Sequence, residues 1–327
     1  MPGGVFELNW CRMELIRGLY NLAAHHRGCV ASIGNFDGLH LGHQKVIEQL
    51  ARRGSALKLP TLIITFEPHP QAFFTRGRGP AQLLRWRDKL ALFEGYGVDR
   101  VFVLRFDERF SQTSAEGFMQ NYLVDGIGVS HVVVGDDFRF GCNRRGDFEM
   151  LSAFGRQYGF DVAHMDTHYI DGERVSSTRV RSALEAGDLT MVQRLLGRPY
   201  CISGHIAHGE KIGRKLGFPT ANINLGFSNI PLSGIFAVRV HGLEQGVQLG
   251  AANVGYRPAV GGNKPKLEVF LLEFDADIYG RLIEVEFLHK IRDERNFPSL
   301  DALKDAIAGD IEAIKDYFAS PAFNPVR

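Results

Sequence analysis

Residues Gly34 to Gln44 read Gly-Asn-Phe-Asp-Gly-Leu-His-Leu-Gly-His-Gln. Gly34, Gly38 and Gly42 let the backbone come close to a ligand, and His40 and His43 set two imidazole donors beside it. A short apolar run, Cys29 to Ile33, precedes the stretch and a helically spaced run, Lys45 to Leu50, follows it. It therefore lies at a strand-to-helix turn, where unpaired N–H groups favour an anion. The chemistry this suits is phosphate binding, with Asn35, Phe36 and Asp37 as further binding candidates and no need for a covalent nucleophile. The Gly-x-Gly-x-x-Gly dinucleotide spacing is absent, and no Gly-Lys-Ser/Thr follows. Two weaker alternatives are a His-x-x-His metal pair, for which no Cys or third His stands at ligand spacing nearby, and a turn with two surface histidines.

Five further places carry suitable residue types. In Phe66-Glu67-Pro68-His69-Pro70, two prolines fix an extended turn that aims His69 at a phosphate or a ring; the alternative is an ordinary loop histidine. Gly135 to Gly146 gathers Asp136, Asp137, Phe138, Phe140 and three arginines. Those residues offer ring stacking, guanidinium on phosphate and carboxylate on Mg²⁺ or a hydroxyl, against a solvated charged loop. Ser176-Ser177-Thr178-Arg179-Val180-Arg181 opens a helix, and its hydroxyls are first of all caps. Two arginines at that positive end also suit a triphosphate. Gly213 to Asn222 (Gly-Arg-Lys-Leu-Gly-Phe-Pro-Thr-Ala-Asn) puts Gly213, Lys215 and Gly217 in a basic loop. In an extended strand Thr220 and Asn222 face one side, as a hard cation carrying ATP phosphates requires. Glu268 is expected to begin a strand with Phe270, Leu272 and Phe274 on its own side, either as a rim residue or as a placed base.

The elements that must position these residues fall into two patterns. From Cys29 to about Leu196, β-rich runs alternate with helical ones. Strands are expected at Cys29 to Ile33, Thr61 to Phe66, Arg100 to Leu104, His131 to Val134 and Asp161 to His164, and helices at Leu83 to Tyr96, Ala115 to Leu123 and Phe148 to Tyr158. This predicts an α/β, doubly wound, Rossmann-like parallel sheet with ligands at the carboxyl ends of its strands. Leu189 to Leu196 ends at Gly197 with Pro199 beyond it, a helix stop that sets the expected domains at 13–197 and 198–327. Beyond the boundary come Cys201 to His208, Thr220 to Leu225, Gly234 to Val240, Val247 to Val254, Leu267 to Phe274 and Leu282 to Leu288. Six such runs predict a small closed antiparallel barrel. A C-terminal helix follows, capped by Ser299, with Leu300, Leu303, Ile307, Ile311, Ile314 and Phe318 on the side that packs on the barrel.

Composition narrows the class. Among 327 residues, 45% are apolar and 23% charged, as in an ordinary two-domain globular protein. Lys plus Arg (38) nearly balances Asp plus Glu (37), which leaves no broad field for nucleic acid or a membrane surface. Small anionic ligands must be held by local sites. Four cysteines without a Cys-x-x-Cys pair fit a reducing cytoplasm, no run reaches transmembrane length, and the N-terminus lacks a signal pattern. Residues 1–12, ahead of Met13, show no regular pattern.

Gly34 to Gln44 resembles the His-x-Gly-His motif of nucleotidyltransferases, in the Gly-x-Phe-Asp-Gly-x-His-x-Gly-His form of bacterial FAD synthetases. Val175 to Arg181 resembles their Ile-Ser-Ser-Thr-x-x-Arg signature with Val in place of Ile, and a similar Pro-His-Pro stands at 68–70. Gly217 to Asn222 is similar to the riboflavin kinase motif, Gly255 to Pro258 to another segment of that family (with Ala259 where Thr is common), and Arg292 to Phe297 to its flavin-side loop. From about Met13 to Phe318 the chain thus resembles bifunctional riboflavin kinases/FAD synthetases. The resemblance implies phosphorylation of riboflavin by ATP to FMN, then adenylylation of FMN to FAD with release of pyrophosphate, both with Mg²⁺. It sets Ser176, Ser177, Thr178 and the basic loop on ATP, and Arg181 against the leaving pyrophosphate. His69, Asp137, Phe138, Arg292 and Phe297 fall to the flavin, Asp137, Thr220 and Asn222 to the metal, and Glu268 becomes the general base. Two other classes, a nucleotidyltransferase with a flavin-sensing barrel and a non-enzymatic nucleotide-binding regulator, are disfavoured by catalytic-type motifs in both halves.

Overall fold

A computed structural model describes residues 13–76, 79–208, 217–226, 229–259, 262–321 and 323. Gly213 and Lys215 of the expected basic loop lie outside them. The described chain gathers into two compact units. One holds the residues up to Pro80 together with Lys89–Ser176, and the other holds Ala81–Asp88 together with the residues from Ser177 on.

The first unit is built on six parallel strands: β1 (Glu14–Arg17), β2 (Cys29–Ile33), β3 (Thr61–Glu67), β4 (Arg100–Arg105), β5 (Val129–Gly135) and β6 (Asp161–Met165). They lie in the order β1-β4-β3-β2-β5-β6. All five residues of β2 are buried, as a central parallel strand covered on both faces requires. Helices α1 (Leu41–Leu57), α2 (Pro70–Phe74), α3 (Trp86–Gly95), α4 (Glu108–Ser111), α5 (Ala115–Phe118) and α6 (Phe148–Tyr158) connect them. The hairpin β7 (Tyr169–Ile170) and β8 (Glu173–Arg174) ends the unit. The five expected strands are present with ends shifted by at most two residues. Strand β1, four residues on the sheet edge, adds a sixth strand to the five expected.

Two helices differ from expectation. Leu83 and Leu84 are buried but precede α3 rather than extending it, because segment 81–88 is held elsewhere: Arg85 Nη1 donates to the Ser203 carbonyl at 2.5 Å, and Ala81 O accepts from Arg181 Nε at 2.6 Å. The expected helix Ala115 to Leu123 is a single α turn that widens into a π-helical stretch over Met119–Val124.

In the second unit α7 (Ser177–Ala186) and α8 (Leu189–Leu196) lead to β9 (Tyr200–Ala207), β10 (Ala221–Ile223), β11 (Gly234–His241), β12 (Gln248–Ala259), β13 (Gly262–Leu271) and β14 (Leu282–Arg292). These six strands close into a barrel in the order β10-β13-β12-β11-β14-β9, with every neighbouring pair antiparallel. Ile206, Ile223, Phe236, Val254, Leu267 and Phe287 are among the side chains buried inside. Asp188 caps α8, and Gly197 ends it in the left-handed conformation. The last helix, α9 (Leu300–Ala319), is capped by Ser299 and packs Ile311 and Ile314 toward β11, β12 and β14. Strand β13 begins five residues earlier than expected, so Glu268 lies inside it rather than at its start, and β10 is shorter, leaving Thr220 one residue ahead of it.

Candidate active sites

The strand order of the first unit turns back between β2 and β5, and Gly34 to Gln44 leaves the carboxyl end of β2 at that point, where open α/β sheets bind ligands. The turn is tightly specified. Gly38 has φ 79°, and Phe36 and Leu39 are left-handed at 49° and 41°, which costs a residue with a Cβ roughly 1–2 kcal/mol. A Cβ on Gly42 would meet the His40 ring at 3.1 Å and come within 3.8 Å of the Val175 carbonyl, so the backbone leading to the Ser-Ser-Thr stretch already lies against the motif.

His40 is buried and caps α1: its Nδ1 accepts from the His43 N–H at 3.3 Å. A neutral His40 therefore carries its proton on Nε2. The two imidazoles stack at 3.7 Å, and His43 also packs against Phe36 at 5.1 Å. His43 keeps some solvent contact as a residue, but its Nδ1 is buried, and among the described residues neither it nor Asn35 Oδ1 has a hydrogen-bond partner. Burial first, then the nearby His40, Lys89 and Arg174, hold the His43 pKa well below its usual value. Near neutral pH His43 is thus a neutral donor or acceptor, not a fixed cation. Lys89, absent from the sequence reading, sits 7% exposed with Nζ donating to the Asn35 carbonyl at 2.9 Å. Burial lowers its pKa, opposed by Asp37 and Glu67. One polar residue in the otherwise apolar stripe of α3 was the available signal.

The other expected residues of this unit are spread over neighbouring loops. His69 caps α2, accepting from the Gln71 N–H at 3.2 Å. Asp137 is exposed and ion-paired with Arg174 at 2.5 Å, so a metal there competes with a guanidinium. Asp136 accepts a hydrogen bond from Thr167 Oγ1, which lowers its pKa. Phe138 stacks on Phe140 at 5.2 Å. Ser176 closes the unit. In the second unit Ser177 opens α7, Thr178 is exposed on it, and Arg181 points its Nε at Ala81 O.

The barrel carries a polar row of its own. Strand register sets Asn222 on β10 opposite Glu268 on β13, and Glu268 opposite Asn253 on β12. Their neighbours Ile223, Leu267 and Val254 are buried inside, so by alternation the three polar side chains share the outer face. Lys266, two residues from Glu268 and so on the same face, brings Nζ to 2.7 Å from its carboxylate. Asn253 Oδ1 is buried with no partner among the described residues. Sequence reading missed Lys266 and Asn253, whose roles depend on cross-strand neighbours. Arg292 and Phe297 do come together: the guanidinium lies 5.6 Å from the ring and is bidentate to Asp310 of α9 at 2.6 and 2.7 Å. Glu294 of the same loop lies against Gly255, so close that a Cβ there would displace it.

The donor set of the barrel's polar row, with Thr220 beside it, suits a hard cation. Mg²⁺ keeps several waters and takes few protein oxygens beside ATP phosphates, a demand that the Thr220 hydroxyl and the Asn222 amide oxygen meet. Among the described residues, the one group of three His, Cys, Asp or Glu side chains close enough to share an ion is Glu14, the first residue of β1, with His25 and His26. His26 Nδ1 there accepts from the Ala23 N–H at 2.8 Å, so Nε2 keeps its proton for Glu14 and is not available to a metal.

Comparison with known proteins agrees with both halves. The FAD synthetase family profile matches residues 22–179 and the riboflavin kinase profile residues 196–318. The bifunctional riboflavin kinase/FMN adenylyltransferase of Pseudomonas fluorescens is 48% identical over 95% of this chain and 99% of its own length. The protein of the same description from Escherichia coli K12 is 45% identical over 94% and 98%. A solved structure described as a macrolide-efflux protein from Streptococcus pneumoniae superposes with a TM-score of 0.77 at 26% identity, covering 93% of this chain and 99% of that one. That likeness is one of fold, and among the described residues no helix is long and apolar enough to cross a membrane. With both family profiles matched in order and 45–48% identity to such enzymes over about 95% of its length, the chain belongs to the bifunctional riboflavin kinase/FMN adenylyltransferase family.

Proposed function

We propose that the barrel transfers the γ-phosphoryl group of ATP to the terminal ribityl hydroxyl of riboflavin, and that the residues of the Gly34–Gln44 and Val175–Arg181 motifs then join FMN to the adenylyl group of a second ATP. In the first reaction Glu268 accepts the proton of the ribityl hydroxyl as its oxygen bonds to the γ-phosphorus, ADP leaves, and FMN results. Lys266 orients the Glu268 carboxylate, while Thr220 and Asn222 hold Mg²⁺, which supplies charge neutralisation on the phosphates when bound. Arg292 and Phe297 form one side of the flavin site, and Gly217 belongs to the ATP loop.

In the second reaction an FMN phosphate oxygen bonds to the α-phosphorus of ATP and the bond to pyrophosphate breaks. An ionised phosphate needs no base, so the residues have only to orient and to neutralise. His40 and His43 donate to the phosphates from the α1 start, Gly34 to Gly42 form the cradle, Ser176 to Thr178 bind the triphosphate, and Arg181 stabilises the leaving pyrophosphate. His69, Asp137 and Phe138 serve the flavin side, with Asp137 also offered to the metal.

The observation that carries this reading is the pairing of Asn222 with Glu268 on one barrel face, in a chain whose other unit keeps the phosphate-binding motif at its topological switch point. Free cysteines at 29, 142 and 201 support a reducing, cytoplasmic setting. A time course with riboflavin, ATP and Mg²⁺, resolved by flavin chromatography, tests the whole. FMN appears first and FAD follows. A protein that adenylylates supplied FMN but never phosphorylates riboflavin would leave the barrel as a flavin sensor.

A further inference from the structure

The left-handed turn at Phe36 is gripped from one side by α3. Lys89 Nζ donates to the Asn35 carbonyl at 2.9 Å, and Phe93, one helical turn later, meets the Phe36 ring edge-on at 5.5 Å. Both are buried, and both belong to the same unit as the motif. A trans peptide is planar, with the C=O of one residue and the N–H of the next on opposite sides. Fixing the Asn35 carbonyl on Lys89 therefore turns the Phe36 N–H away from the ammonium. Among the described residues that N–H has no protein acceptor. A backbone donor left without a partner between a sheet and a helix start is rare unless a ligand or water takes it.

We propose that Lys89 is a positioning residue for adenylyl transfer: by holding the Asn35–Phe36 peptide in one orientation, it presents the Phe36 N–H to a phosphate oxygen of ATP. Lys89 touches protein, not substrate. The His43 ring rests on Phe36, so the same grip fixes the imidazole. The inference builds on the assignment of ATP to Gly34–His43 and adds to it a residue that no motif contains.

The test is steady-state kinetics of FMN adenylylation in the full-length chain with Lys89→Met, which keeps the stem and removes the donor, and with Lys89→Gln, which keeps a neutral donor. Loss of a positioned donor to a charged ligand predicts a KM for ATP about tenfold or more higher in the Met variant and a smaller rise in the Gln variant. KM for FMN and the rate of riboflavin phosphorylation stay at the parent values. A merely structural residue behaves differently, because a misfolded fraction lowers kcat and leaves both KM values unchanged. An unchanged KM for ATP in whichever variant folds overturns the proposal, and so does unfolding of the parallel-sheet unit in both. His43→Ala run alongside separates the two readings. If it spares adenylylation the ATP assignment itself fails, and if it abolishes adenylylation while Lys89→Met keeps the parent KM for ATP, only the role of Lys89 fails.

Discussion

Asn222 and Glu268 stand directly opposite each other across β10 and β13, and Lys266 Nζ reaches the Glu268 carboxylate at 2.7 Å. A direct cross-strand pair brings Cβ atoms to about 5 Å, which sets the amide proposed to bind the metal and the carboxylate proposed as proton acceptor within reach of one phosphoryl group. Glu268→Gln keeps the shape and removes the basicity. Riboflavin kinase turnover is expected to fall by about 10²- to 10⁴-fold, with riboflavin binding and FAD formation from supplied FMN retained. Phosphorylation at near the parent rate would make Glu268 a rim residue.

The two units lead to a fragment prediction. A fragment from Tyr200 to Arg327 contains the whole barrel and α9, and it is expected to fold and make FMN but no FAD. Starting instead at Ser177 restores α8, whose Val192, Leu195 and Leu196 are buried and which packs on β9 and β14. The longer fragment should melt at a higher temperature in circular dichroism, because it keeps that apolar surface covered. A folded longer fragment without kinase activity would count against the assignment of the barrel.

Acid should weaken the parallel-sheet unit in two stages. His43, buried and shifted down from 6.5, stays neutral when folded while the unfolded chain takes up a proton, so stability is full above that value and falls as pH drops below it. Glu14 is shifted down from 4.5 by hydrogen bonds from His26 and His25, so its contribution is present above 4.5 and disappears as pH falls through the lower folded value. Urea denaturation followed at pH 7, 5 and 3 checks both stages. Glu14→Gln should flatten the second stage and leave the first, and a curve parallel to that of the parent throughout would show that the Glu14 pair contributes nothing.

Much of this was legible in the sequence wherever a local pattern decides the structure. The parallel strands are continuous β-rich runs, α8 carries its own cap and its own glycine stop, and Gly38 marks a turn that only a positive φ satisfies. What escaped depends on distant partners. Lys89 reads as one polar position in an amphipathic helix until α3 is laid against Asn35, and Asn253 and Lys266 gain meaning only from the register that flanks Glu268. The end of the expected helix at Leu83 failed for the same reason, since Arg85 and Ala81 bond to Ser203 and Arg181, far along the chain. Edge strand β1 is too short to announce itself.

The central claim is that two separate sets of residues run two successive reactions. The most direct measurement is the flavin chromatogram of full-length His43→Ala and Arg181→Ala proteins given riboflavin, ATP and Mg²⁺. Removing a donor that stabilises charge on the transferring phosphates should cut FAD formation by roughly 10²-fold or more. FMN should then accumulate at the parent rate. FAD appearing at the parent rate, or the joint loss of FMN and FAD in a protein that remains folded, would contradict the account.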